Sequence, residues 1–450
     1  MLTNKIGYSY NDLTIVPSII SDVASRSECN PFIENTKNRL PIFASPMASV
    51  VSENNVDVFL ENGITPILPR NIDIKIRKKE MLNQTWVALS LKEFEELFIR
   101  YAIDREGDFR THYFIVVDIA NGHMLSLYDK CIKAKELAIK YGYKLTIMTG
   151  NIANPQTYEW ICRNARYENK SEGALAIDFI RVGIGGGSGC ITASNVSIHY
   201  PQASLINDCI KVKKRLLNEY EDISAYSKAP RFKEEDFPKI VADGGIRNYD
   251  HVIKALALGA DYVMIGSVFA QCIESAGAKF IRNSKVSFGV PINRYKNFRI
   301  DTEENVYGYD TDEYIEENIK SYKTELDNIK AKVNLGTLLP NDAEYKLAIL
   351  QYNEKINKLK EEKFIGQLDV KFFGMASADG QKSISGKKTK TSEGITKYLP
   401  VKYTLAGWVE NMISYLRSAM SYTDCKTLKE FIGTPELIVN SISEIQAVNK

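Results

Sequence analysis

The chain of 450 residues is 44% hydrophobic and 25% charged, and its formal net charge is +2. These are ordinary globular values, and so small a charge gives no reason to expect a nucleic-acid partner or a membrane surface. No run is long and apolar enough to cross a bilayer, and residues 1–10 lack the apolar core of a signal peptide. We therefore expect a soluble, cytoplasmic protein, built as one large α/β barrel or as roughly two to three smaller domains.

The cysteines of the chain are scattered and form no Cys-X-X-Cys pair. They are Cys29, Cys131, Cys162, Cys190, Cys209, Cys272 and Cys425. Structural zinc sites usually take such paired cysteines, and disulfide frameworks belong to oxidising compartments. The spacing therefore predicts free, reduced thiols and no structural zinc.

Short, mostly apolar runs recur along the chain, as expected for parallel strands that are buried on both faces. These eight runs are residues 40–44, 64–68, 86–89, 114–117, 145–148, 177–182, 240–242 and 262–265. Amphipathic segments lie between several of them, for example at 126–141 and at 249–258, where Gly259 ends the second segment. This alternation predicts a (β/α)8 TIM barrel, with a doubly wound open sheet as the structural competitor.

The most distinctive stretch is 178–195, where an apolar run leads directly into a cluster of glycines. The cluster is Gly183, Gly185, Gly186, Gly187 and Gly189, with Ser188 and Cys190 embedded in it. Glycines in such number suit a backbone that adopts positive φ or approaches a ligand closely. The loop can turn N–H groups toward phosphate oxygens or carbonyls toward a cation, and Cys190 adds a nucleophile beside them. By itself, the pattern also fits a flexible loop with a buried cysteine.

Polar residues and glycines follow most of the predicted strands directly. The segments are Ser45-Pro46-Met47, Pro69-Arg70-Asn71, Asp118-Ile119-Ala120-Asn121-Gly122-His123, Thr149-Gly150-Asn151, Asp243-Gly244-Gly245 and Gly266-Ser267. Barrel active sites are built from the loops at the C-terminal ends of the strands. Any one of these glycines is ordinary turn chemistry. Together, with one cysteine among them, they predict a nucleotide site.

Four motifs carry a resemblance to a known family. They are Gly-Ile-Gly-Gly-Gly-Ser-Gly-Cys-Ile-Thr at 183–192, Ala-Asp-Gly-Gly at 242–245, Phe-Gly-Met at 373–375 and Leu-Arg-Ser-Ala-Met-Ser-Tyr-Thr at 416–423. They resemble inosine monophosphate dehydrogenase and guanosine monophosphate reductase, over about residues 5–285 and 368–435. The resemblance implies a phosphate-binding (β/α)8 barrel, a homotetramer, and chemistry at C2 of a purine nucleoside monophosphate.

The resemblance also implies roles for individual residues. Cys190 would be the thiolate that adds to C2, and Thr192 and Glu393 would assist it. The substrate would contact Met47, Ser188, Asp243, Gly244, Gly245, Gly266, Ser267, Gly374, Met375, Ser392 and Gly394. The cofactor, NADPH or alternatively NAD, would contact Arg70, Asp118, Ile119, Ala120 and Gly183. The carbonyl groups of Gly185, Gly187 and Cys190 resemble the family's potassium ligands.

The two activities of this family share a covalent thioimidate but differ in the partner reaction. The dehydrogenase hydrolyses the intermediate, whereas the reductase forms it by expelling ammonia and then reduces it with NADPH. Residues 118–123 and 391–394 resemble reductase motifs, and Lys382 and Ser383 stand where the dehydrogenase has its water-activating Arg-Tyr pair. Residues 44–47 and 416–423 look more like the dehydrogenase. We expect a GMP reductase, with IMP dehydrogenase as the alternative.

Two other classes stay open. Ala48 and Ala193 stand where the family has Asp and Arg, which favours a nucleotide-binding relative without turnover. The retention of Cys190, Thr192 and Glu393 argues against that interpretation. A flavin-binding barrel is the other class; it would leave Cys190 idle, and the purified protein would be yellow.

Residues 285–368 are an insertion where the family has only a short connection. Apolar residues recur there at helical spacing in two series, Tyr314, Ile315, Ile319, Tyr322, Leu326, Ile329 and Val333, then Tyr345, Ile349, Tyr352, Ile356 and Leu359. This spacing predicts an antiparallel helical hairpin without a catalytic group. The predicted units are thus a barrel with the cysteine loop at 1–284, the insertion at 285–368, and at 369–450 an active-site flap with the C-terminal part of the barrel.

Overall fold

The computed structural model describes residues 5–105, 111–167, 174–226, 234, 237–281, 287–288, 311–334, 346–347, 350–351, 368–387 and 391–441. Within these ranges the strands are β1 (Leu13–Ile15), β2 (Ile42–Ala44), β3 (Thr65–Leu68), β4 (Trp86–Leu89), β5 (His112–Asp118), β6 (Lys144–Ile152), β7 (Arg166–Tyr167), β8 (Ala174–Leu175), β9 (Phe179–Val182), β10 (Lys239–Asp243), β11 (Tyr262–Ile265), β12 (Lys279–Ile281), β13 (Ser287–Phe288), β14 (Leu368–Phe373), β15 (Thr396–Pro400) and β16 (Leu437–Val439).

The α-helices of the same ranges are α1 (Val56–Glu61), α2 (Ile74–Leu82), α3 (Leu91–Glu95), α4 (Leu125–Tyr141), α5 (Pro155–Asn164), α6 (Thr192–Val196), α7 (Gln202–Tyr226), α8 (Tyr249–Ala257), α9 (Ser267–Ala270), α10 (Thr311–Asn334), α11 (Ala378–Ser385), α12 (Leu405–Tyr422) and α13 (Leu428–Phe431). Short 3-10 turns lie at Tyr10–Asp12, Arg26–Glu28 and Ala102–Arg105, and a π-helical turn at Glu96–Arg100. Of the helices that the structure describes, none has both the length and the apolar content needed to cross a bilayer.

A closed barrel of parallel strands forms the centre of the molecule. Its strands follow the order β2, β3, β4, β5, β6, β9, β10 and β11, and β11 closes the ring by pairing with β2. Each of these strands overlaps one of the eight apolar runs of the sequence, so the predicted (β/α)8 barrel is confirmed and the open sheet is excluded.

The apolar runs are nearly continuous because both faces of each strand are buried. One face fills the barrel interior with Phe43, Ile67, Trp86, Ala88, Val116, Met148, Val241 and Met264. The rings of Phe43 and Trp86 meet edge to face there, with centroids 5.5 Å apart. Neighbouring strand residues such as Ile115 and Val117 face the helices and join the larger outer core. The interior is therefore packed, and a ligand has room only at the ends of the barrel.

The helical layer is completed by a helix from near the end of the chain. Helix α8 follows β10, but the short α9 is all that directly follows β11. Helix α12 packs against α8, with Trp408 stacked on Tyr249 at 5.3 Å between ring centroids. Its first turn is capped twice, because Thr404 accepts a hydrogen bond from the Gly407 N–H and the Glu274 carboxylate accepts one from the Leu405 N–H.

A small antiparallel sheet, in the order β13, β12, β14 and β15, lies beside the barrel. Between β14 and β15 the chain forms α11 and the segment 391–395. Asp379 ties α11 to both strands, because it accepts a hydrogen bond from Thr396 at 2.6 Å and pairs with Lys371 at 3.2 Å. This sheet therefore holds residues 374–387 and 391–395 in place; we call these two segments the flap.

The insertion contains a long helix where the first apolar series predicts one. Helix α10 covers that series, and among its described side chains, at 320–332, Leu326 is buried. Residues 346–347 and 350–351 are also helical, but most of the second series lies outside the described residues. The pairing of the two helices and the three predicted unit boundaries therefore stay predictions.

Candidate active site

A cavity of about 710 Å³ opens at the C-terminal ends of the barrel strands. Its size is in the usual range for small-molecule sites. The structure brings nearly all of the predicted site residues to its walls: Met47, Arg70, Asp118, Ile119, Ala120, Gly183, Gly185, Gly187, Ser188, Cys190, Thr192, Asp243, Gly244, Gly245, Gly266, Ser267, Gly374, Met375, Glu393 and Gly394. Ser392 lies next to the cavity, outside its described lining, and its hydroxyl donates to the Gly394 carbonyl at 2.6 Å.

Cys190 lies at the end of the glycine loop and is half-buried, whereas the other six cysteines are buried. Its Sγ is 3.2 Å from the Thr192 hydroxyl, which in turn donates to Glu393 Oε2 at 3.4 Å. The three side chains thus form a continuous path from the thiol to a carboxylate. Such a path can carry a proton to or from a group bound at the sulfur.

The flap is joined to the glycine loop by backbone hydrogen bonds. The Ile191 N–H donates to the Glu393 carbonyl at 3.0 Å, and the Ile395 N–H donates to the Gly189 carbonyl at 3.0 Å. Cys190 and Gly394 therefore form an antiparallel bridge. These bonds bring Glu393 to Cys190 although the two lie about 200 positions apart in the chain.

Close backbone approach accounts for glycines on both sides of this junction. A Cβ on Gly374 would lie 2.7 Å from the Gly189 carbonyl oxygen, and one on Gly394 would lie 2.9 Å from the same oxygen. Gly183 adopts φ +137°, and a Cβ there would lie 2.2 Å from the Asp243 carbonyl oxygen. The glycines therefore allow the loop, the flap and β10 to pack together, which a merely flexible loop would not require.

The cavity lining offers hydroxyl groups and glycine backbone groups. Ser188 and Ser267 have their hydroxyl oxygens 3.0 Å apart, next to Gly245 and Gly266. Met375 Sδ accepts from the Ala48 N–H at 3.5 Å, and the Met47 side chain lies against Gly266. The first group suits a phosphate, and the soft methionine side chains suit a flat ring.

A network of two arginines and two aspartates lies along the strand ends. Arg181 Nη1 donates to Asp118 Oδ1 at 2.9 Å, and its Nε donates to Asp243 Oδ2 at 2.8 Å. Asn151 Nδ2 donates to the same Asp243 oxygen at 2.7 Å, and Arg70 Nε lies 3.3 Å from Asp118 Oδ2. Arg181 and Asn151 both line the cavity; Asn151 belongs to a loop that was predicted at the site without an assigned role, and Arg181 was missed. An arginine inside an otherwise apolar strand was the available signal, because a buried charge needs partners.

The residues predicted for a nicotinamide cofactor fit such a group, because they share one cavity with Cys190. The predicted potassium ligands fit in type, since their carbonyl oxygens are what a hard cation binds. The Gly187 carbonyl also accepts the Cys190 N–H at 3.0 Å. Within the described ranges, His, Cys, Asp and Glu side chains form no cluster that could hold a metal ion.

His123 lies in a predicted site loop, and its side chain joins this loop to Ala153 and Thr157. Its Nδ1 lies 2.8 Å from the Thr157 hydroxyl, and its Nε2 accepts from the Ala153 N–H at 3.2 Å. Burial lowers the pKa of His123, which favours this neutral, hydrogen-bonded form. His123 is not part of the described cavity lining.

Comparisons with known proteins agree with this geometry. The model of the IMP dehydrogenase / GMP reductase domain matches residues 7–336. A GMP reductase of Helicobacter pylori is 27% identical over 286 residues, which are 61% of this chain and 74% of that protein. The GMP reductases of Chromobacterium violaceum and Streptococcus gordonii are each 28% identical, over 61% and 62% of this chain and 75% and 74% of their own. The chain belongs to the IMP dehydrogenase / GMP reductase family.

Proposed function

We propose that this protein is a GMP reductase, which converts GMP to IMP and ammonia with NADPH. The balanced reaction is GMP + NADPH + 2 H⁺ → IMP + NH₄⁺ + NADP⁺. The observation that carries the proposal is the contact path from Cys190 through Thr192 to Glu393 at 3.2 and 3.4 Å. A protein that only binds a nucleotide has no use for a half-exposed thiol connected to a carboxylate.

In the first half of the reaction, the Cys190 thiolate adds to C2 of the purine, a carbon between two ring nitrogens. The S–C2 bond forms, and the C2–N2 bond then breaks with release of ammonia, which leaves a thioimidate. The amino group is a poor leaving group, so it must gain a proton as it departs. Thr192 and Glu393 supply that proton, because they are the hydrogen-bonding groups in the path that ends at Sγ. Positioned proton transfer of this kind is typically worth roughly 10²–10⁴ in rate.

NADPH, when bound, would supply the hydride for C2. Cys190 would then leave as the thiolate, which gives IMP. Arg70, Asp118, Ile119, Ala120 and Gly183, which line the same cavity, would hold the cofactor. The flap covers the cavity with Gln381, Ile384 and Ser385 of α11. By excluding water there, the flap would protect the thioimidate from hydrolysis.

For the nucleotide, Ser188, Ser267 and the N–H groups of Gly245 and Gly266 would receive the phosphate. Asp243 would accept hydrogen bonds from the ribose hydroxyls, next to Gly244. Met47, Gly374 and Met375 would flank the base, and Ser392 and Gly394 would complete the flap side. Potassium, held by carbonyl oxygens of Gly185, Gly187 and Cys190, would order the glycine loop.

The alternative is IMP dehydrogenase, which would turn IMP, NAD⁺ and water into XMP. The family contains both activities, so membership does not decide between them. The names of the relatives given above support the reductase, as do Thr391-Ser392-Glu393-Gly394 and the presence of Lys382 and Ser383 in place of an Arg-Tyr pair. The homotetramer and the cytoplasmic location also remain parts of this proposal that rest on the resemblance.

Paired assays test the proposal. The purified protein is incubated with GMP and NADPH, and separately with IMP and NAD⁺, while the reduced cofactor is followed at its near-ultraviolet absorbance. We expect consumption of NADPH with GMP and no formation of NADH with IMP. Accumulation of NADH from IMP, without NADPH consumption on GMP, would make the protein a dehydrogenase. No change in either mixture, although GMP binds, would favour the relative without turnover.

A further inference from the structure

Arg181 is the only residue of the described network that contacts both of its carboxylates. It lies in β9, between β6 and β10, and is 8% exposed. One edge of its guanidinium donates to Asp118 at the end of β5, and Nε and Nη2 each lie 2.8 Å from Asp243 Oδ2 at the end of β10. Under the proposed function, Asp118 belongs to the cofactor subsite and Asp243 to the nucleotide subsite. A single rigid group therefore spans both.

The carboxylates of Asp243 and Asp118 each contact a second residue of the network besides Arg181. Asn151 donates to Asp243 Oδ2 at 2.7 Å and to the Gly183 carbonyl at 2.8 Å, but it has no described contact with Asp118. Arg70 donates to the Asp118 carbonyl at 3.2 Å and lies 3.3 Å from its Oδ2, but it has no described contact with Asp243. Arg70 thus offers a control that contacts one subsite only, whereas Asn151 also contacts Gly183, a residue placed at the cofactor.

The arrangement leaves one oxygen of Asp243 for a ligand. Both described donors to this side chain use Oδ2, and Oδ1 is neither hydrogen-bonded to a described residue nor among the buried atoms without a partner. Because Asp243 lines the cavity, a hydroxyl bound at Oδ1 would fix the carboxylate. Because the planar guanidinium of Arg181 binds both carboxylates, fixing Asp243 would also restrict the position of Asp118.

The charges of the network favour the charged form of Arg181. Burial favours the neutral form of Arg181, but Asp243 and Asp118 outweigh it and raise its pKa above the ordinary value. The charges of the two arginines and the two aspartates balance, so the network has no net charge. Moving Arg181 would leave two carboxylates unpaired at once.

We propose that Arg181 is a positioning residue that couples the nucleotide and cofactor subsites, so that each ligand binds more tightly when the other is present. The physical reason is that both ligands need the same guanidinium to be ordered. The ligand that binds first carries the cost of ordering it, and the second binds without that cost. This inference rests on the proposed function, since it takes its two ligands from there. Coupling between sites typically amounts to about 5- to 150-fold in affinity, and it is reciprocal.

The test uses GMP with NADP⁺, a pair that cannot complete turnover because NADP⁺ carries no hydride. The dissociation constant of each ligand is measured by calorimetry alone and with the other at saturation. In the wild type we expect each ligand to tighten the other by the same factor, about 5-fold or more. In Arg181→Gln we expect both ligands to bind more weakly and the factor to fall to about 1. Arg70→Gln, the matched control, should weaken NADP⁺ alone and keep a coupling factor above 1, because Arg70 contacts Asp118 and has no described contact with Asp243.

Arg181→Lys serves if Arg181→Gln does not fold. An ammonium lacks the planar fork, so this variant should bind both ligands with a reduced coupling factor. A folded Arg181 variant with wild-type coupling would overturn the inference, as would a wild type that binds both ligands independently. If GMP and NADP⁺ do not bind the wild type at all, the proposed function fails, and this inference fails with it.

Discussion

Cys190 differs from the other cysteines of the chain in its surroundings. Burial raises the pKa of all six others, that of Cys162 to about 12. Thiols with such pKa values carry almost no thiolate at neutral pH and react slowly. Cys190 is half-buried in the cavity wall, so it is the thiol that a small electrophile can reach.

We therefore predict that Cys190→Ala abolishes turnover of GMP, with GMP binding and the melting temperature close to those of the wild type. Cys162→Ala is the matched control, because that thiol lies away from the cavity and should not affect catalysis. Initial rates and calorimetric binding of GMP measure both variants. A Cys190→Ala protein with a near wild-type rate would remove this residue from the mechanism.

A second prediction for a single residue concerns Glu393 and the release of ammonia. Its carboxylate contacts the Thr192 hydroxyl at 3.4 Å, and Glu393→Gln keeps the size of the side chain but removes its proton chemistry. We expect the rate of ammonia release to fall by about 10²–10⁴, while the dissociation constant of GMP changes little. The comparison of kcat with GMP affinity measures this. If kcat and the affinity for GMP fell by the same factor, Glu393 would bind the substrate rather than move a proton.

Arg181 illustrates where single-residue reasoning stops. Its position in an apolar run predicts the strand correctly, but the run says nothing about which residues lie across the barrel. Its two partners are 63 residues before and 62 residues after it in the chain. Only the closed ring of strands brings these positions together, and sequence periodicity does not contain that information.

Among the elements, the barrel strands were predictable because they are short and apolar on both faces. Helix boundaries were close as well: the predicted 126–141 is Leu125–Tyr141, ended by Gly142 at φ +78°. The junction of residues 189–191 with 393–395 was not predictable in the same way. It consists of backbone hydrogen bonds between segments far apart in the chain. The pattern of side chains along the sequence does not predict such bonds.

The insertion yields a prediction about an element. Ile281, which precedes the insertion, pairs with Leu368 at its end across β12 and β14. None of the described cavity residues comes from 285–368. Replacement of residues 312–360 by a short Gly/Ser linker should therefore keep kcat and the KM for GMP within about twofold, since substitutions away from a site usually cost little.

Size-exclusion chromatography and circular dichroism check that the shortened protein is folded and assembled as the wild type is. A shortened protein that passes both checks but has lost activity would show that the insertion takes part in catalysis. If only the assembly changes, the insertion belongs to an interface between subunits.

At the scale of the whole molecule, Lys279 connects stability with pH. It lies in β12 and is buried, with its ammonium donating to the Ser275 hydroxyl at 3.0 Å. Burial lowers its pKa to about 7, against the opposing influence of Cys272 and Glu274. Between pH 7 and about 10.5 the unfolded chain binds a proton at this lysine that the folded chain does not. The contribution of Lys279 to the free energy of unfolding therefore rises with pH in that window, by about 1 kcal/mol per pH unit.

The corresponding prediction compares melting temperatures from pH 6 to pH 9.5. Lys279→Met removes the titrating group, so it should melt above the wild type at pH 6–7, and the difference should shrink as the pH rises. Lys429→Met, at an exposed position on α13, should give a difference that stays constant with pH. A Lys279→Met curve that runs parallel to the wild type throughout would contradict the lowered pKa.

The most direct test of the proposed chemistry follows the hydrogen that is transferred from NADPH to C2 of the purine. The protein is incubated with GMP and NADPH carrying deuterium at both C4 positions, and the nucleotide and ammonia are quantified by mass spectrometry and an enzymatic assay. We predict IMP with one deuterium at C2 and one ammonium ion for each IMP formed. IMP without deuterium, XMP as the product, or oxidation of NADPH without release of ammonia would contradict the assignment of this protein as a GMP reductase.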